Sequence, residues 1–174
     1  MGIRSSRSAW TITLGCRLRW WADWDEVTLR ADFGRMADAG LNSVRFFLFW
    51  RDFMPTEHTV DSEVLARLDT AVRAAAEAGL SCVLSLLTIW MNGQRLDLPW
   101  RRERSVWRDM DLLAAEETYA RAVAKTVHAH GNVLAYDLGD ELWHINRAEA
   151  LSLSREEVAG WYRRLADAIR AERR

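Results

Sequence analysis

Residues 25–50 read DEVTLRADFGRMADAGLNSVRFFLFW, and the fold turns on them. From Asp25 to Ala39 the apolar positions Leu29, Phe33, Met36 and Ala37 fall on one helical stripe. The acids at the front suit a helix N-terminus. Gly40 stops the helix as the first residue beyond its C-terminus. Leu41 to Trp50 then runs almost without a polar break, the pattern of a strand covered on both faces. A helix with one apolar stripe feeding a two-sided buried strand is the building unit of a parallel α/β sheet.

The unit repeats. Asp61 to Ala78 carries Val64, Leu65, Leu68, Val72 and Ala75 on one side, Gly79 ends it, and Leu80 to Thr88 is a second buried-strand run. Ala39-Gly40-Leu41 thus returns as Ala78-Gly79-Leu80. Asp111 to His130 is a third helix, with Leu112, Tyr119, Val123 and Val127 inward, closed by Gly131 before the strand Asn132 to Leu138. Ser154 and Glu157 have the spacing of a capping box. The helix they open buries Val158, Trp161, Leu165 and Ile169. A loop, Ile89 to Asp109, holds Asn92-Gly93 and Pro99. The first strand falls near Ser8 to Gly15, with Met1 to Arg4 as the competing placement. Four βα units at a period of roughly 40–50 residues give one domain over residues 1–174. Periodicity alone leaves two closures open: a doubly wound sheet, or part of a (β/α)8 barrel.

Composition removes several function classes. The 174 residues hold 24 basic and 25 acidic side chains, a net charge of −1, which gives no electrostatic footprint for nucleic acid. No apolar run approaches the roughly 20 residues of a membrane span. Two cysteines, Cys16 and Cys82, are too few for a disulfide scaffold and read as free thiols of a reducing compartment, hence a cytoplasmic protein. Arg4 and Arg7 precede a short apolar run, but Ser8, Thr11 and Thr13 interrupt it where a secretory signal would be continuous.

Chemistry in parallel α/β folds gathers beyond the C-terminal ends of the strands. Of the ten tryptophans, Trp20, Trp21, Trp24, Trp50, Trp90, Trp100, Trp107 and Trp143 fall there, a rim of flat rings suited to the C–H faces of pyranose sugars. The competing reading is ordinary core packing, which Trp161 on a helix stripe fits. The fourth strand ends Gly139-Asp140-Glu141-Leu142-Trp143-His144. Two adjacent carboxylates at a strand's end point into the site, where burial beside indoles raises a carboxyl toward a general-acid pKa. Asp140 as the cap of a short turn is the alternative, and Asp137 reads as structural. Arg45 interrupts an apolar strand and should meet a carboxylate, since an unpaired buried guanidinium is strongly unfavourable. Glu141-x-x-His144 has the spacing of half a di-iron motif, but its second half is missing, so no metal and no cofactor is expected.

Trp21-Ala-Asp-Trp-Asp25, the stretch Asp32 to Phe53, Trp90-Met-Asn-Gly93 and Tyr136-Asp-Leu-Gly-Asp-Glu141 together resemble the cellulase-like glycoside hydrolases of clan A, near family 5. The likeness runs over roughly residues 21 to 170. It implies a (β/α)8 barrel, here truncated to about four βα units, and a retaining β-glycosidase of the cellulase or mannanase kind. The family's general acid/base falls on Glu141 and its strand-two arginine on Arg45. Substrate contacts are expected from Arg45, Asp140, Trp50, Trp90 and Trp143, with an oligo- or polysaccharide as partner.

Three departures accompany the resemblance. Asp140 stands where the family has an asparagine, placing a like charge beside Glu141. Trp90 replaces a histidine. The nucleophile, a glutamate on strand seven, has no counterpart. Retaining hydrolysis needs two carboxyl groups about 5–5.5 Å apart, and Asp140 cannot be the second because consecutive residues at a strand end diverge. The expectation is therefore a chain inactive alone. A non-catalytic carbohydrate-binding or interaction module, or one half of a split enzyme with a second chain supplying strands five to eight, are the alternatives.

Overall fold

The computed structural model describes residues 19–149 and 151–172. Trp10, Cys16 and both placements of the first strand lie outside the described residues. Helix α1 (Glu26–Asp38) leads to strand β1 (Ser43–Phe47), a short helix α2 (Trp50–Phe53), α3 (Ser62–Glu77) and β2 (Ser81–Leu87). A hairpin of β3 (Trp90–Met91) and β4 (Gln94–Arg95) follows, then α4 (Met110–Val127), β5 (Val133–Gly139), α5 (Leu142–Ala148) and α6 (Arg155–Ala171).

Strands β1, β2 and β5 form one parallel sheet in that order. They are the second, third and fourth strands expected from the sequence. The helix ends are where the residue chemistry puts them. Asp25, Asp61 and Asp109 accept hydrogen bonds from first-turn amides, and Ser154 with Glu157 makes the reciprocal capping box. Gly40 and Gly79 adopt φ of 81° and 76°, the left-handed turn that ends each helix before a strand.

The pleat divides the sheet into two faces. Val44 and Phe46 of β1, with Cys82 and Leu84 of β2, are buried, and Phe46 meets Phe33 of α1 edge-on with ring centroids 5.9 Å apart. This is the face the helices cover. The opposite face carries Arg45 and Phe47, Val83 and Ser85, Ala135 and Asp137, which the register sets side by side. It is more polar and only partly buried. Among the described residues no helix is long and apolar enough to cross a membrane.

Three of the eight rim indoles expected at the strand ends belong to the core instead. Trp21 and Trp50 are fully buried and Trp107 nearly so. Trp21 donates its indole N–H to the carbonyl of Phe47 at 2.8 Å, and Trp100 donates to that of Met54 at 2.8 Å. Trp50, expected to touch substrate, starts α2 in the core. Its N–H points at the Met54 sulfur at 3.1 Å, and its ring packs against Trp100 and Tyr119. Large rings at strand ends can fill the space between loops and helices, as Trp21, Trp50 and Trp107 do, rather than reach solvent.

Candidate active site

Arg45 projects from the middle of β1 onto the polar face and organises it. Its Nε donates to Ser85 Oγ at 2.6 Å, and Nη2 donates to Asp140 Oδ1 at 2.8 Å and to the carboxylate of Asp137. Ser85 in turn donates to Asp137 Oδ2 at 2.8 Å. The guanidinium carbon lies 4.6 Å from the centre of the Phe47 ring, so the cation also has an aromatic face beneath it. One strand register produces this arrangement, because Phe47, Ser85 and Asp137 are successive partners across the three strands.

The cluster holds two carboxylates and one guanidinium. Burial is the main cause of a raised pKa at Asp140. The charge and hydrogen bond of Arg45 oppose that rise, and the neighbouring carboxylates of Glu141 and Asp137 add to it. Asp140 is therefore committed to Arg45 rather than to capping the next helix. The cap position belongs to Glu141, whose side chain makes no capping hydrogen bond.

Glu141 has φ 47° and ψ 31°, the left-handed region that costs a non-glycine residue on the order of 1–3 kcal/mol. Beneath it the chain is tight: a Cβ added at Gly139 would sit 2.6 Å from Leu142 Cδ1. The reversal turns Asp140 inward and Glu141 outward, with the Glu141 side chain 41% exposed and its Oε2 3.9 Å from His144 Nε2. A carboxyl so placed is open to a ligand arriving from solvent.

Beside it stands a stack of three rings. The His144 imidazole lies between Trp90 (centroids 5.3 Å apart, planes 8°) and Trp143 (3.6 Å, 30°). Trp143 is 57% exposed, the most exposed tryptophan among the described residues, while the buried Trp90 N–H has no hydrogen-bond partner. The hairpin bearing Trp90 is tied to the far end of α5 by ion pairs. Arg95 meets Glu149 at 2.6 Å, and the buried Arg101 binds Asp97 through two nitrogens (2.6 and 2.7 Å) and Glu149 at 2.9 Å.

The structure thus brings Arg45 and Asp140 together, places Glu141 next to them, and joins Trp90 to Trp143. Trp50 belongs to neither group. Sequence reading missed Ser85, Asp137 and His144 as parts of the arrangement. Ser85 could have been found as the polar break in an apolar strand. Asp137 could have been found as the charged break in its strand and the natural counterpart of Arg45. Among the described residues no group of three or more His, Cys, Asp or Glu side chains is arranged to hold a metal ion.

Known proteins resemble this chain in sequence and in fold. The family model for cellulase (glycosyl hydrolase family 5) matches residues 6–173. The exo-β-1,4-mannosidase Op5Man5 from Opitutaceae bacterium strain TAV5 is 30% identical, with a TM-score of 0.84 over 92% of this chain and 29% of its own. GH5_18 from Streptomyces cattleya in complex with GlcNAc is 26% identical, with a TM-score of 0.80 over 88% of this chain and 38% of its own. A variant of the Streptomyces protein in complex with Manβ1-4GlcNAc, 23% identical over 87% of this chain and 38% of its own, repeats the fold with a TM-score of 0.82. No curated protein matches the sequence. The chain spans between 29% and 38% of the length of these solved structures. Of the two closures left open by periodicity, these matches select the barrel: the chain is a partial (β/α) barrel.

Proposed function

The chain belongs to glycosyl hydrolase family 5, and from that premise we propose that it carries the acid/base half of a retaining β-glycosidase site. Glu141 is the residue that protonates the leaving oxygen and later takes a proton from water. Its exposed carboxyl at a strand's C-terminal end, 3.9 Å from the His144 ring that stacks on Trp143, is the observation that carries the assignment. Arg45 and Asp140 form the charged floor, and Trp143 offers a sugar the face that His144 does not cover.

Residues 1–174 act as one incomplete barrel domain and do not turn over a glycoside alone. Retention needs an attacking carboxylate about 5–5.5 Å from the acid/base, and Asp140, the nearest candidate, is held by Arg45. A second polypeptide segment supplying strands five to eight would provide it. The exo-β-1,4-mannosidase relative makes β-1,4-linked mannosides the first ligands to try.

The test is calorimetric titration of the chain with mannotetraose and cellotetraose, followed by the same titration of Trp143→Ala. Saturable binding that weakens at least tenfold in the variant supports the reading. Binding unchanged by Trp143→Ala refutes the assigned surface.

A further inference from the structure

We propose that His144 is a positioning residue: its imidazole is the spacer that holds Trp143 as a fixed platform beside Glu141. The inference rests on the sugar-binding reading above and adds to it a residue with no role there.

Trp143 sits in the first turn of α5, a helix of 7 residues, with over half its surface in solvent. An exposed indole on so short a helix would ordinarily sample several rotamers, and ordering it when ligand binds would weaken affinity. Here the ring is ordered beforehand. The Trp143 and His144 centroids are 3.6 Å apart, and His144 lies nearly parallel to Trp90 at 5.3 Å. Trp90 does not drift, because it pairs with Arg95 in the hairpin and Arg95 pairs with Glu149 just past the end of α5. Two attachments, a ring stack at one end of α5 and an ion pair at the other, fix both the position and the rotation of the helix. His144 is the link in the first of them, and its Nε2 edge faces the Glu141 carboxylate at 3.9 Å. The same residue therefore sets the spacing between platform and carboxyl.

The spacer role depends on a flat ring, so it separates by substitution. His144→Ala should weaken mannotetraose or cellotetraose binding roughly three- to tenfold, the equivalent of one side chain ordered only on binding. It should also reduce the near-ultraviolet circular dichroism of the stacked rings. His144→Phe keeps a ring between the indoles and should restore both readouts to within about twofold of the parent, as expected for an aromatic stack. Should the alanine variant fail to fold, Phe against Asn at the same position gives the same contrast. Parent-like affinity for His144→Ala alongside weakened Trp143→Ala overturns the spacer role and leaves the sugar reading standing. A phenylalanine variant as weak as alanine overturns it too. Absence of binding by the parent chain overturns the sugar reading, and the spacer role falls with it.

Discussion

Replacing Arg45 with leucine tests whether the polar face is organised as described. The substitution keeps an apolar stem in β1 but leaves Asp137 and Asp140 facing each other without a cation. Breaking a fully buried pair costs about 3–5 kcal/mol, and exposed pairs contribute about 0–1 kcal/mol. The side chains here are 26%, 33% and 15% exposed for Arg45, Asp137 and Asp140, so an intermediate loss of about 2 kcal/mol follows. For a chain of this size that is roughly 4–8 °C in Tm. The loss also carries a pH signature. Burial raises the pKa of Asp140 above its ordinary 3.8, and Arg45 lowers it, so the variant's Asp140 moves further up. An acid whose folded pKa exceeds its unfolded one opposes folding when ionised and is relieved as pH falls. Urea unfolding of parent and variant should therefore give a larger difference at pH 8 than at pH 5, and Asp140→Asn added to Arg45→Leu should recover part of it at pH 8. An equal difference at both pH values, with no recovery in the double variant, would show that Arg45 does not offset the charge of Asp140.

Further expectations concern the frame around the site. Glu116 is fully buried, with Trp161 donating to one oxygen at 2.8 Å and the other unpartnered; burial holds its carboxyl well above the ordinary range. The parent should lose stability as pH rises past the pKa of an unfolded glutamate, and Glu116→Gln should gain about 1–3 kcal/mol over it at pH 9 but little at pH 5, by urea unfolding. Gly139→Ala places a methyl against the Leu142 side chain and should cost about 1–3 kcal/mol by thermal melting, partly regained with Leu142→Ala. The Cys82 thiol is buried and its pKa is pushed up to about 12, so in a Cys16→Ser background it should react with a disulfide reagent only after unfolding.

Much of this frame is legible in the sequence, for local reasons. Aspartate or serine caps and the glycines at 40 and 79 bound the long helices, and the stripes through Leu29, Leu68, Val123 and Leu165 are the buried ones. Arg45 in an apolar strand calls for a carboxylate, and it has two. The site's finer parts depend on long-range geometry. The helix α5 has 7 residues and starts at a glutamate in a left-handed turn with no side-chain cap, so no local signal announces it. The hairpin at Asn92 and Gly93, with φ of 52° and 74°, follows a turn preference that was visible, but its role in carrying Trp90 to His144 was not. The indoles illustrate the limit most clearly: position after a strand does not distinguish Trp50, fully buried, from Trp143, mostly exposed. Only packing against neighbours decides which ring a ligand can reach.

The role proposed for Glu141, one catalytic carboxyl of a retaining site completed by a second carboxyl from elsewhere, has a direct test. The direct measurement is release of nitrophenol from aryl β-mannosides and β-glucosides by the purified chain and by Glu141→Gln. Neither protein should show turnover above the uncatalysed rate. Turnover by the parent that Glu141→Gln abolishes would contradict a second carboxyl from elsewhere, because the attacking group would then lie within this chain.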